Sequence, residues 1–149
     1  MTKRILIVCL GNIGRSPAAE GVCRDLFKQA ETDSAGTGGY HVGEPPYGTM
    51  QAAARARALD LSDLRAWQFE PQDFARFDLI VAMDGDNLRN VEAQRPADQI
   101  TPVVLFTDFA AGSSADHVPD PYYTGEFDAV VELIEAAADG FLATLPQPK

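Results

Sequence analysis

Val8-Cys9-Leu10-Gly11-Asn12-Ile13-Gly14-Arg15-Ser16-Pro17 sets a thiol and a guanidinium with five residues between them, two of these glycine. Residues of these types at this spacing can grip an oxyanion and attack it. The run before them, Arg4-Ile5-Leu6-Ile7-Val8, is apolar and β-branched. It reads as a buried strand that delivers Cys9 to its carboxyl end, where open α/β sheets place their ligands. Ser16 is suited to cap the following helix and Pro17 to occupy its first turn. The free N–H groups and positive dipole end of that helix then face the loop. Gly11 and Gly14 can take positive φ, so that consecutive amides curl around one centre. Arg15 adds a planar fork matched to two phosphate oxygens. Such a field favours the thiolate of Cys9, a nucleophile set in a phosphate cradle.

A second fragment, Asp120-Pro121-Tyr122-Tyr123, lies far downstream. Together the two resemble the low-molecular-weight protein tyrosine phosphatase family, marked by a C-x5-R-S phosphate loop near the N-terminus and a distant D-P-Y. Ser34-Ala35-Gly36-Thr37, Val42-Gly43 and Met83-Asp84 with Asn87 extend the match over nearly the whole chain. The resemblance implies hydrolysis of phosphotyrosine and small aryl phosphates through a phosphocysteine. Cys9 is then the nucleophile, Arg15 the phosphate and transition-state ligand, and Asp120 the general acid that later serves as base. Leu10, Gly11, Asn12, Ile13, Gly14 and Ser16 would present amides to the phosphoryl oxygens, and the Ser16 hydroxyl could reach the Cys9 sulfur. Ser34 would support the loop with Asn12, while Tyr40, Tyr122 and Tyr123 would line a cleft for a flat aryl group. No cofactor or metal is expected. Phosphotyrosine proteins are the implied partners, a bacterial tyrosine kinase among the candidates, with a monomer as the expected form.

Two departures from the family pattern stand out. Many members carry a second cysteine in the loop, associated with a reversible disulfide to the nucleophile, where this chain has Gly14. Cys9 is therefore expected to be poorly shielded from over-oxidation. Leu64-Arg65-Ala66-Trp67-Gln68 stands where the family often shows a more basic H-R-A-R-Q-like segment, so charge facing the substrate is expected to be lower there.

Other readings of the same residues are weaker. Asp120-Pro121 alone is an ordinary turn opener. Asp84-Gly85-Asp86-Asn87 lacks the spaced carboxylates and final Glu of a calcium loop and suits a helix cap better. His41 and His117 are isolated and form no zinc pattern with two distant cysteines. Arsenate reductases of the same scaffold relay a disulfide through two further cysteines, and no cysteine follows Cys23 here. The loop also lacks the Gly-Lys-Ser/Thr ending of a nucleotide-binding P-loop and the three-glycine dinucleotide spacing. A non-catalytic phosphotyrosine-binding module would not need Cys9, Arg15 and Asp120 all intact.

The elements needed to position these residues can be read in order. At 149 residues the chain fits one domain, 1–149. Its 22 acidic against 12 basic residues give a net charge of −10, which argues against nucleic-acid or polybasic membrane contacts. The apolar runs fall short of the roughly 20 residues of a membrane span, and a cytoplasmic protein is expected. After the first strand, a helix is expected from Pro17 to about Gln29, with Ala19, Val22, Cys23 and Leu26 on its buried face. A short strand near Asp33 should run into the glycine-rich turn Ser34–Gly39. An alanine-rich helix is expected over Thr49–Ala58 and a short helix or irregular link over Phe69–Phe77. Leu79–Met83 should be the third strand, Asp84 the cap of a helix over Asn87–Val91, and Thr101–Phe106 the fourth strand. Apolar residues recur at helical spacing from Phe127 through Leu142 and Leu145 until Pro146. The sum is an α/β fold, a small doubly wound four-stranded parallel sheet flanked by helices, with the phosphate loop after strand 1.

Overall fold

The computed structural model describes residues 3–26, 30–109 and 117–143. Its first strand, β1 (Lys3–Cys9), sends Ile5, Ile7 and Cys9 into one apolar layer and Leu6 and Val8 into another. All five are buried, which explains a run with no polar alternation: a strand covered on both faces must be apolar throughout. β1 pairs in parallel with β2 (Ala30–Gly36) on one side and with β3 (Leu79–Ala82) on the other. β4 (Val103–Leu105) pairs in parallel with β3, giving the order β2-β1-β3-β4. The chain leaves β1 toward β2 and then returns to the opposite side of β1. The carboxyl end of β1, where Cys9 stands, is therefore the switch point at which such sheets leave a crevice.

Helices close both faces. α1 (Arg15–Leu26), α2 (Gly48–Arg55) and α6 (Phe127–Leu142) pack on the Ile5 and Ile7 side. α3 (Asp73–Arg76) and α4 (Gly85–Glu92) cover the Leu6 and Val8 side through Phe74 and Val91. α5 (Pro121–Thr124) is a single turn at the rim. α6 buries Val130, Val131, Ile134, Ala137, Ala138 and Phe141, one stripe at 3.6-residue spacing. Its glycine is required: a Cβ on Gly140 would lie 1.8 Å from the Phe109 carbonyl oxygen. Without a side chain there, α6 reaches the turn Phe106–Phe109 and the Phe109 and Phe141 rings meet at 4.9 Å. Among the described residues, no helix is long and apolar enough to cross a membrane.

Several boundaries differ from the sequence expectation. α1 starts at Arg15, so Ser16 lies inside the helix and its hydroxyl turns to Cys9 instead of capping. β2 is longer than the short strand expected near Asp33. It lies at the sheet edge with Glu31 and Asp33 exposed, which removes the apolar signal. α2 stops at Arg55, and Ala58, expected in the helix, has φ 64°. The link over 69–77 contains one four-residue helix. β3 ends at Ala82, and the fourth strand is only Val103–Leu105 because Phe106 opens a 3-10 turn. α4 extends beyond the expected Asn87–Val91, with Asp84 as its cap as expected. Gln29, Leu145 and Pro146 lie outside the described residues.

One buried acid joins α1 to β2. Glu20, 3% exposed, accepts a 2.6 Å hydrogen bond from Ser34 Oγ and pairs with Arg24 Nη2 at 2.5 Å. Burial, the largest influence, pushes its carboxyl up to about 7 from an ordinary 4.5; Asp33 and Asp63 add to the rise, while the Ser34 bond and Arg24 oppose it. The folded chain thus keeps a proton that the unfolded chain releases. The stability gained is whole below pH 4.5 and is lost as pH rises through about 7. Glu20→Gln removes this titration. Urea denaturation between those two pH values should show the parent losing about 3 kcal/mol more than the variant. Parallel slopes in the two proteins would contradict the assignment.

Candidate active site

The loop between β1 and α1 turns on one residue, and it is not a glycine. Asn12 has φ 57°, whereas neither Gly11 nor Gly14 adopts positive φ, contrary to the sequence expectation. Asparagine tolerates this left-handed conformation, and here its side chain fixes it. Asn12 Nδ2 donates to Ser16 Oγ at 2.8 Å and to Ser34 Oγ at 2.9 Å, while Oδ1 accepts from the Trp67 N–H at 3.1 Å. The backbone N–H of Asn12 then points at Cys9 Sγ, 3.3 Å away. Ser34 Oγ in turn donates a hydrogen bond to Glu20 Oε1. Ser16 Oγ, which accepts from Asn12, lies 3.0 Å from Cys9 Sγ and donates to it when the sulfur is a thiolate, since that anion can only accept. Two donors therefore converge on one buried sulfur.

Arg15 lies beside it, 3% exposed. Its Nη1 donates to Asp84 Oδ2 at 2.5 Å and to the Val118 carbonyl oxygen at 3.0 Å, and its Nη2 stands 3.6 Å from Asp120 Oδ2. Burial works against the guanidinium charge, but the Cys9 sulfur and the Asp84 and Asp120 carboxylates outweigh it and raise the Arg15 pKa above its ordinary value. Asp84 does two jobs: Oδ1 caps α4 by accepting from the Asn87 N–H at 2.7 Å, and Oδ2 holds Arg15. The cap was legible in the sequence and the arginine contact was not. The register offered the clue, since Val8 pairs with Ala82 and brings the ends of β1 and β3 side by side. Asp120 likewise caps α5, its Oδ1 accepting from the Tyr122 N–H at 3.0 Å. Asp120-Pro121 thus opens a helical turn, as expected of the pair alone, while the other carboxylate oxygen of Asp120 stands beside Arg15.

A cleft of about 400 Å³ opens over the loop. Cys9, Leu10, Gly11, Ile13, Gly14 and Arg15 form its floor; Tyr40, Asp120, Tyr122 and Tyr123 contribute to its walls. Asn12, Ser16 and Ser34 are buried behind that floor and do not line the cleft. Tyr40, Tyr122 and Tyr123 are strongly exposed rim residues. His41, Tyr47 and Phe127 also line the cleft and were missed in the sequence. His41 is not isolated: it bonds to the Glu44 carboxylate, and its ring lies where a Cβ on Gly11 would come within 3.1 Å. The segment 64–68 does not face the cleft. Trp67 packs against the Leu6 and Val8 side, Leu64 against the other core, and Ala66 exchanges backbone bonds with Gly43 and Glu44. The expected loss of charge toward the substrate therefore has no counterpart in the cleft. The glycine-rich turn does reach the loop. Thr37 N–H donates to the Cys9 carbonyl and Gly38 N–H to that of Leu10, each at 2.9 Å. A Cβ on Gly36 would lie 2.8 Å from Leu10 O, so the approach needs glycine. Among the described residues, no group of three or more His, Cys, Asp or Glu is placed to hold a metal ion.

Chemically, the arrangement offers a thiol with two hydrogen-bond donors aimed at it, a fixed guanidinium and a partly exposed carboxylate, all around one opening. Comparison with known proteins agrees. Residues 4–149 match the family described as low molecular weight phosphotyrosine protein phosphatase. A Synechocystis sp. protein bearing that family's name is 45% identical over 95% of this chain and 96% of its own. The low molecular weight protein-tyrosine-phosphatase YfkJ of Bacillus subtilis is 36% identical, with 97% of each chain covered. The YfkJ crystal structure superposes with a TM-score of 0.91 over 97% of this chain and 94% of that one. The chain belongs to the low molecular weight phosphotyrosine protein phosphatase family.

Proposed function

We propose that this chain hydrolyses phosphotyrosine and small aryl phosphates through a phosphocysteine at Cys9. The observation that carries the reading is the meeting of Cys9, Arg15 and Asp120 in one cleft, with Arg15 Nη2 3.6 Å from Asp120 Oδ2. The Cys9 thiolate attacks phosphorus in line, an S–P bond forms and the P–O bond to the aryl group breaks. Arg15 and the loop amides hold the equatorial oxygens, where the transition-state charge is spread. Asp120 gives its proton to the departing aryloxide, so the leaving group departs as a neutral phenol. Water then attacks phosphorus, Asp120 takes its proton, the S–P bond breaks and inorganic phosphate leaves with the thiolate restored. The Ser16 hydroxyl and Asn12 N–H stabilise the sulfur anion whenever it is released.

Cys23 has no part in this chemistry. It is fully buried in α1, and burial, with the charge of Glu20 adding to it, pushes its thiol well above the ordinary range. A disulfide relay of the arsenate-reductase kind therefore finds no support. Tyrosine-phosphorylated proteins as substrates, a bacterial tyrosine kinase among them, and a monomeric cytoplasmic enzyme complete the proposal on the family resemblance.

Turnover of p-nitrophenyl phosphate and of a phosphotyrosine peptide tests the reading. Cys9→Ser should reduce both to background, and Asp120→Asn should slow the peptide reaction by about 10²-fold or more. Undiminished turnover in Cys9→Ser would refute it. Brief peroxide treatment provides a separate test: with Gly14 in the loop and Cys23 inert, lost activity should not return with dithiothreitol. Full recovery would show that oxidation of Cys9 stops at a stage a thiol reverses, a sulfenic acid or a disulfide, and would overturn the expectation.

A further inference from the structure

One part of the cleft wall is a chain of aromatic rings, and one of them ties it to the phosphate loop. Tyr47, at the start of α2, donates its backbone N–H to the Ile13 carbonyl oxygen at 2.7 Å. Its ring lies parallel to Phe127, at 5.6 Å and 10°, and meets Tyr122 edge-on at 6.4 Å and 87°. Tyr122 in turn donates its backbone N–H to Asp120 Oδ1. The described ring contacts of Tyr122 are with Tyr47 and with Tyr123, and Tyr123 is 76% exposed. Tyr123 cannot hold its neighbour against solvent. Tyr47 can, because its peptide is bonded to the loop and its ring is backed by Phe127.

We propose that Tyr47 is a positioning residue for Asp120, linking Ile13 of the phosphate loop through Tyr122 to the carboxylate that serves the leaving group. The inference rests on the reading of Asp120 as general acid and goes beyond it. Tyr47 delivers no proton; it fixes the distance across which one is delivered. A misplaced acid is costly only when the leaving group needs its proton. Phenolate is a strong base and needs it, whereas p-nitrophenolate is a much weaker base and leaves without it. A residue that only shapes the cleft would affect both substrates alike.

The experiment compares kcat/KM for phenyl phosphate and p-nitrophenyl phosphate, since this ratio reports the step that forms the phosphocysteine. Tyr47→Ala should lower the phenyl phosphate value about tenfold and the p-nitrophenyl phosphate value no more than about threefold. Tyr47→Phe, which keeps the ring, should restore the parent values. Tyr47 is 42% exposed, so Tyr47→Leu provides a second ring-free variant with little cost to the core. In an Asp120→Asn background, Tyr47→Ala should no longer separate the two substrates. Equal losses on both, no loss on either, or the same separation without Asp120 would overturn the proposal. If Asp120→Asn alone left the two substrates equally affected, the general-acid reading itself would fall, an outcome distinct from a failure of Tyr47.

Discussion

The site depends on one amide side chain that uses both of its donors and its carbonyl oxygen to hold its own backbone in a left-handed turn. For most residues that conformation costs about 1–2 kcal/mol, and asparagine bears it more easily. Against it stand three side-chain hydrogen bonds, two donated by Asn12 to Ser16 and Ser34 and one accepted from the Trp67 N–H. Each contributes about 0.5–1.5 kcal/mol net, so together they outweigh the strain. The same bonds engage the neighbouring hydroxyls: Ser34 accepts from Asn12 and gives to Glu20, and Ser16 accepts from Asn12 beside the Cys9 sulfur, to which it gives when that sulfur is an anion. Trp67 reaches Asn12 from the segment that closes the sheet edge by the Gly36 and Gln68 bridge. Loop geometry and fold are therefore secured by shared contacts.

The electrostatics work on two length scales. A net charge of −10 opposes the approach of an anion, but it is carried by many exposed carboxylates. Salt screens exposed charges over about 8–10 Å, while a buried guanidinium at the floor of a cleft is screened far less. Local attraction by Arg15 therefore decides binding once a phosphate enters. Asp84 matters as the partner that keeps so buried a cation tolerable, since an unpaired charge at 3% exposure would cost several kcal/mol.

Much of the fold was legible because its signals are local. Ile5 to Cys9 could only be a strand buried on both faces, and the spacing from Phe127 to Phe141 could only be a helix with one apolar stripe. β2 was underestimated because an edge strand keeps polar residues such as Glu31 and Asp33 outward. At the site, residue types and spacing pointed to Cys9 and Arg15, whereas Asp120 was named only through the family resemblance. The mechanism of the turn was misassigned: the glycines suggested positive φ, yet the left-handed residue is Asn12, chosen by partners 22 and 55 positions away. The places of Tyr47 and His41 in the cleft and the contact of Asp84 with Arg15 escaped notice for a related reason. Each acquires its place through contacts across the crevice that no spacing along the chain encodes.

The central claim is that phosphate passes through the sulfur at the end of β1. Rapid acid quench of the enzyme with p-nitrophenyl phosphate, followed by mass spectrometry of the peptide containing Cys9, measures it directly. The account predicts a burst of p-nitrophenolate near one equivalent and one phosphoryl group on Cys9 before the steady state. Steady turnover with Cys9 unmodified throughout, or with phosphate on another side chain, would contradict it.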